Sequence, residues 1–135
     1  MYLLDTNVVS EVRKPRPHGG VKAWLEATSI HEVFVCAISL AELERGAIAT
    51  AKSNPAKAAE LSAWIERVQE GFQILALDGP VCREWARLMS RTSDTLSADA
   101  MIAATARVHG LTIASRNVRD FDGFGVDVYD PFTYR

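Results

Sequence analysis

The amino-acid sequence predicts an α/β domain built on a mainly parallel sheet. Three observations point there. Short apolar runs of strand length recur along the chain, amphipathic helical segments alternate with them, and the composition suits one soluble core. At 135 residues, 48% hydrophobic and 24% charged, the chain is long enough to bury a sizeable interior and is expected to form one domain over residues 1–135. Its strands read as continuous apolar runs rather than alternating ones, which is how parallel strands covered on both faces look.

The elements follow in order. Tyr2-Leu3-Leu4 is expected to be a short buried strand ending at Asp5, with a helix starting near Thr6 or Asn7. Arg13 to Gly20, rich in proline and glycine, reads as a loop. Val33-Phe34-Val35-Cys36 is a second strand. A helical hairpin then runs from about Ser39 to Gly71, with Leu40, Leu43 and Ala47 on one face and Leu61, Trp64, Ile65 and Val68 forming a second stripe. Ile74-Leu75-Ala76-Leu77 is a third strand, and Val81, Trp85, Leu88 and Met89 mark the next helix. The alanine-rich stretch from Ala98 to Val108 allows close approach to the sheet, and Gly110 is its expected C-terminal stop. Leu111-Thr112-Ile113-Ala114 is a fourth strand, and Val126 to Tyr129 an edge strand. Trp64, Trp85 and Met89, at helical spacing, are read as core.

Composition narrows the function. A formal net charge of −2 does not mark a nucleic-acid binder of the strongly basic kind, although an acidic pocket can mask basic residues on its rim. Met1 leads straight into the first strand without a basic region or a long apolar stretch, so no signal peptide or membrane span is expected. Cys36 and Cys82 sit in apolar surroundings without metal-site spacing and are read as buried, reduced thiols of a cytoplasmic protein.

Four acids stand next to these core segments: Asp5, Glu42, Asp99 and Asp120. Each has a structural alternative. Asp5 follows a buried strand and either caps the next helix or faces a ligand site at the carboxyl edge of the sheet; Thr6 and Asn7 are better placed to cap, which frees Asp5. Ser39-Leu40-Ala41-Glu42 matches a capping box, the favoured reading for Glu42, against a place in the first helical turn at the same sheet edge. Asp99 suits the positive end of the alanine-rich helix, and Asp94 upstream is a loop or capping residue. Asn117 and Asp120 lie three apart, so a helical turn brings them to one side. Glu44, Asp122 and Asp127 read as surface residues. If the four acids meet, their repulsion raises their pKa values and a divalent cation relieves it, a combination suited to phosphoryl chemistry.

The set resembles the PIN-domain nucleases, in particular the VapC-type toxins of bacterial toxin–antitoxin pairs and their FitB-like branch. The likeness runs through Leu3-Leu4-Asp5-Thr6-Asn7, Ser39 to Gly46, Ala98-Asp99-Ala100-Met101-Ile102-Ala103-Ala104, and Thr112 to Phe121. It implies a three-layer α/β/α domain with a central parallel sheet. It also implies an Mg²⁺- or Mn²⁺-dependent endoribonuclease that is held in check by a cognate antitoxin, assembles as a homodimer, and meets operator DNA only through the antitoxin. Asp5, Glu42 and Asp99 match the family's three core acids. The fourth position is shared between Asn117, where some members carry an acid, and Asp120, where others do.

Under that resemblance Asp5 and Asp99 are the principal metal ligands. Glu42 binds the same or a second ion or orients the attacking water, and Asp120 completes the cluster. Thr6, Asn117 and Arg116 are substrate contacts, with Arg119 beside them. Arg13, Lys14 and Arg16 steer a polyanion or meet an acidic antitoxin segment, while His18, His31 and His109 are surface or loop residues. Two other readings stand beside this one. An aspartate-nucleophile phosphatase would use Asp5, but Asn7 stands where that class has a second acid. A catalytically idle binding module would keep the fold without the chemistry.

Overall fold

The computed structural model describes residues 1–93 and 97–135; Asp94 lies outside the described residues. The strands are β1 (Tyr2–Leu4), β2 (Val33–Cys36), β3 (Gln73–Leu75), β4 (Thr112–Ala114) and β5 (Val128–Tyr129). They form one sheet in the order β3-β2-β1-β4-β5, with every pairing parallel. The described helices are α1 (Thr6–Glu11), α2 (Gly19–Ala27), α3 (Ala37–Ala51), α4 (Pro55–Gly71), α5 (Gly79–Met89) and α6 (Ser97–His109), with 3₁₀ turns at Ile30–Glu32, Val118–Phe121 and Pro131–Thr133.

Strand periodicity builds the layers. Successive side chains of β1 point to opposite faces. Leu3 therefore packs with Ile113, Val81 and Leu88 and the alanine face of α6, whereas Leu4 packs with Val8, Val9, Val21, Trp24 and Val68 from α1, α2 and α4. Both leucines are fully buried. The result is the expected α/β/α sandwich. Ala100, Ala103, Ala104 and Ala106 are buried along α6, so short side chains do let that helix close on the sheet. Gly110 ends it at a φ of 66°, with the Leu111 N–H donating to Ala106 O at 2.9 Å, a Schellman closure.

Several boundaries differ from the sequence reading. The third strand is Gln73–Leu75, because Ala76 and Leu77 leave the sheet before Asp78 caps α5. Only Val128–Tyr129 of the edge strand pairs. Helix α2 is an addition: its first two residues are Gly19 and Gly20, which read as a turn, and its cap is His18, whose Nδ1 accepts from Gly20 N at 3.1 Å. Cys36 is buried as expected, but Cys82 is exposed. It follows buried Val81 by one residue, about 100° around a helix, and so faces outward. No described helix is long and apolar enough to cross a membrane.

Strand order decides where a ligand site belongs. From β1 the chain goes to β2 on one side, while β4 lies on the other, so a crevice opens outside the carboxyl ends of β1 and β4. The C-terminal 3₁₀ turn closes one side of that region by packing on the start of α2. A Cβ built on Gly20 would stand 2.9 Å from Phe132 O and 3.1 Å from Pro131 O and Tyr134 O. Gly20→Ala must push helix and turn apart. A loss of about 1–3 kcal/mol in urea denaturation is expected, and unchanged stability would show that this contact yields freely.

Candidate active site

Asp5 leaves β1 at the crevice. Its backbone N–H extends the β1–β4 ladder to Ala114 O at 2.9 Å, and its side chain is turned into a polar nest. Oδ1 accepts from Thr6 N at 2.8 Å; Oδ2 accepts from Ser115 Oγ at 2.6 Å and Asn7 Nδ2 at 3.1 Å. Asp5 is thus itself the N-cap of α1, which corrects the expectation that Thr6 or Asn7 would cap in its place. Thr6 is already helical, so the residue before it does the capping. A carboxylate offers about four acceptor sites, and three are filled, so capping does not use up the group. Asp5 is 6% exposed, and this burial raises its pKa; the Ser115 and Thr6 hydrogen bonds oppose the rise, and the charges of Glu42 and Asp120 add to it.

Glu42 is not held in a capping box. Helix α3 starts directly after β2, at Ala37, with Cys36 in the cap position. Ser39 is therefore inside the first turn and fully buried, and Glu42 falls in the second turn rather than the first. The partner of both is Thr6, whose Oγ1 is hydrogen-bonded to Ser39 Oγ at 2.8 Å and donates to Glu42 Oε1 at 2.7 Å. This hydroxyl, expected to meet substrate, links α1 to α3 and hydrogen-bonds Glu42, while Thr6 also lines the cavity.

Asp99 lies in the first turn of α6, as expected, and is half-buried. Its pKa is pushed up to about 6, first by burial and then by the charges of Asp5, Asp120 and Glu42. The four acids therefore act on one another through space. Asp5, Glu42 and Asp99 line one cavity of about 500 Å³ together with Thr6, Asn7, Arg116 and Asn117. Asp120, in the 3₁₀ turn after Asn117, contributes its charge without lining the cavity. Asn117 N donates to Ser115 Oγ at 3.0 Å, and its side chain makes no cap bond.

As the side chains stand, no three His, Cys, Asp or Glu groups among the described residues form a ready cage for an ion. The donor chemistry nonetheless fits a hard divalent cation. Mg²⁺ takes oxygen ligands, keeps several waters and needs only one or two carboxylates. Asn7 adds a buried Oδ1 with no hydrogen-bond partner among the described residues. Its amide orientation follows from Nδ2 facing Asp5, since the flipped form would set two oxygens together.

Sequence reasoning missed other parts of the site. Ser115 is fully buried and joins Asp5 to Asn117; the signal was available, because it follows β4 as Asp5 follows β1. Glu11 also lines the cavity at 8% exposure. Lys14 bonds it at 2.6 Å and lowers its pKa, with a further bond from His18 N, so it brings little free negative charge. Phe132 arrives from the C-terminal turn. Among the expected peripheral residues, Arg116 lines the cavity, Arg119 is exposed, and His18, His31 and His109 are exposed. Ser115→Ala is expected to lower stability at pH 7 by about 1–3 kcal/mol, since it leaves a buried carboxylate short of a donor. Urea denaturation tests this, and an unchanged midpoint would deny the bond any weight.

Fold and site together define a three-layer α/β/α domain with an acidic cavity at the carboxyl edge of its sheet. The PIN domain model matches residues 2–125, and the chain belongs to that family. It is 36% identical over 142 residues to Toxin FitB of Neisseria gonorrhoeae, covering 98% of this chain and 99% of that protein. It is 35% identical over 138 residues to VapC ribonuclease Y4jK of Sinorhizobium fredii, covering 98% of each. The solved structure of FitAcB from Neisseria gonorrhoeae superposes with a TM-score of 0.81 at 35% identity, over 98% of this chain and 99% of that one.

Proposed function

We propose that this chain is an Mg²⁺- or Mn²⁺-dependent endoribonuclease acting as the toxin of a toxin–antitoxin pair. The observation that carries the reading is that Asp5, Glu42 and Asp99 line one crevice, with the charge of Asp120 close enough to act on Asp5 and Asp99. Its length-wide similarity to proteins named toxin and VapC ribonuclease supports it.

Asp5 and Asp99 would hold the cation, with Glu42 as a third ligand or as the group that orients water. When bound, the ion neutralises the acids, polarises the phosphodiester and acidifies water. Glu42 Oε1 is occupied by the Thr6 hydroxyl, which leaves Oε2 to take a proton from the attacking water. Asp120 adds negative charge that favours cation binding. Asn117 and Arg116 contact the RNA, Arg116 through phosphate oxygens. In-line attack by water would form a new P–O bond as the P–O3′ bond breaks, and the departing 3′ oxygen would take a proton from solvent, leaving a 5′-phosphate and a 3′-hydroxyl.

The antitoxin would be a small protein that covers this crevice, with operator DNA met only through it. Homodimer assembly and a cytoplasmic location belong to the same proposal. The phosphatase reading loses ground because the Asn7 amide is spent on Asp5.

Purified protein incubated with structured RNA tests the reading. Cleavage is expected with Mg²⁺ or Mn²⁺, none with EDTA, and recovery when metal is restored. Cleavage indifferent to EDTA would sink the metal mechanism; intact RNA under every condition would favour the idle binding module.

A further inference from the structure

Arg116 presents a puzzle of charge. It lines a cavity with Asp5, Glu42 and Asp99, yet makes no ion pair or hydrogen bond with any of them, or with any other described residue. Arg116 is exposed, and its guanidinium has one defined neighbour. The Arg116 guanidinium carbon lies 4.5 Å from the centroid of the Phe132 ring, well inside cation–π range.

Phe132 is itself fixed from three sides. Asp130 Oδ1 accepts from Phe132 N at 2.9 Å, and Thr133 Oγ1 donates to Asp130 O at 2.7 Å, which closes the 3₁₀ turn. Buried Pro131 and the close approach of Gly20 press that turn onto α2. The His18 ring lies 5.1 Å from the Phe132 centroid, inclined at 59°. With Arg116 over its face and His18 beside it, the ring is poorly placed to stack a nucleobase.

We propose that Phe132 is a positioning residue. It holds Arg116 off the carboxylates and presents its unpaired N–H donors to an RNA phosphate. The C-terminal turn is thereby part of the substrate-binding machinery. This inference rests on the endoribonuclease reading above. Pairing with Asp5 or Asp99 would both remove the phosphate fork and compete with the cation, so the ring protects two functions at once.

The test is a double-mutant cycle on RNA cleavage with Phe132→Leu, Phe132→Tyr, Arg116→Ala and the Leu/Ala double variant, at saturating Mg²⁺. Phe132→Leu should raise KM about 5-fold with kcat within about twofold, and Phe132→Tyr should restore KM. In the Arg116→Ala background, Phe132→Leu should add nothing. A second readout is independent of activity: the Arg116 Nε–H resonance should carry a ring-current shift in the native protein that Phe132→Leu removes. An unchanged KM in folded Phe132→Leu, full additivity in the double variant, or an unshifted Arg116 resonance would each overturn the proposal. If the native protein cleaves no RNA but shows the ring-current shift, the endoribonuclease reading has failed and takes the role of Phe132 in substrate binding with it. If it cleaves normally and the shift is absent, only this inference has failed.

Discussion

Asp5→Asn is expected to lower RNA cleavage by about 100- to 1,000-fold while leaving the protein folded. The fold survives because Asn caps a helix about as well as Asp, so its Oδ1 can still accept from Thr6 N. The Ser115 hydroxyl can turn to accept from the new amide. Only the Asn7 Nδ2 donor then faces another donor, a loss of about 1 kcal/mol, and relief from the Glu42 and Asp120 charges offsets part of it. What disappears is the anionic oxygen at the β1–β4 switch point. Cleavage assays beside thermal unfolding separate the two effects. Cleavage within a few-fold of native would place the chemistry elsewhere.

Asp99→Asn should move stability and activity in opposite directions. The Asp99 pKa rises from 3.8 to about 6 in the folded protein. Between those values the folded state binds more protons than the unfolded state, so this group's contribution to stability falls as pH rises from about 4 through 6 and stays low above that. The carboxylate is half-exposed, so solvent screening reduces the effect to on the order of 1–2 kcal/mol. In EDTA the Asn variant should therefore be more stable than native protein at pH 7.5, with the difference vanishing near pH 4. Its RNA cleavage should drop about 100-fold or more. Urea denaturation at the two pH values, with cleavage measured alongside, checks both halves. Equal destabilisation at both pH values would mean that Asp99 is structural. Such an exchange of stability for function is common where a site gathers like charges.

The strands were legible because complete burial leaves an apolar run whatever lies around it, as in Leu3-Leu4 and Ile113-Ala114. A strand end and a helix start pointed Asp5 and Asp99 to the carboxyl edge of the sheet, where both line the cavity with Glu42, while Asp120 stands outside its lining. Details that depend on where a helix begins were less accessible. Ser39-x-x-Glu42 has the letters of a capping box, but β2 runs into α3 without a loop, so the cap falls three residues earlier, at Cys36. That displacement frees Glu42 and hands it to Thr6. Helix α2 was hidden because two glycines open it, and only its packing on the C-terminal turn makes glycine at position 20 a requirement. Phe132 carries no local sign at all. Its place beside Arg116 arises from that same tertiary contact, between segments that no periodicity connects.

The claim beneath all of this is that the acids meet in order to hold a divalent cation. Calorimetric titration of Mn²⁺ into purified protein at pH 7.5 tests it most directly. The expected result is saturable binding at pH 7.5 and loss of that binding in Asp5→Asn; repeated near pH 6, where Asp99 is about half protonated, the same titration should release protons. Native-like Mn²⁺ binding by Asp5→Asn, or none by the native protein, would contradict the account.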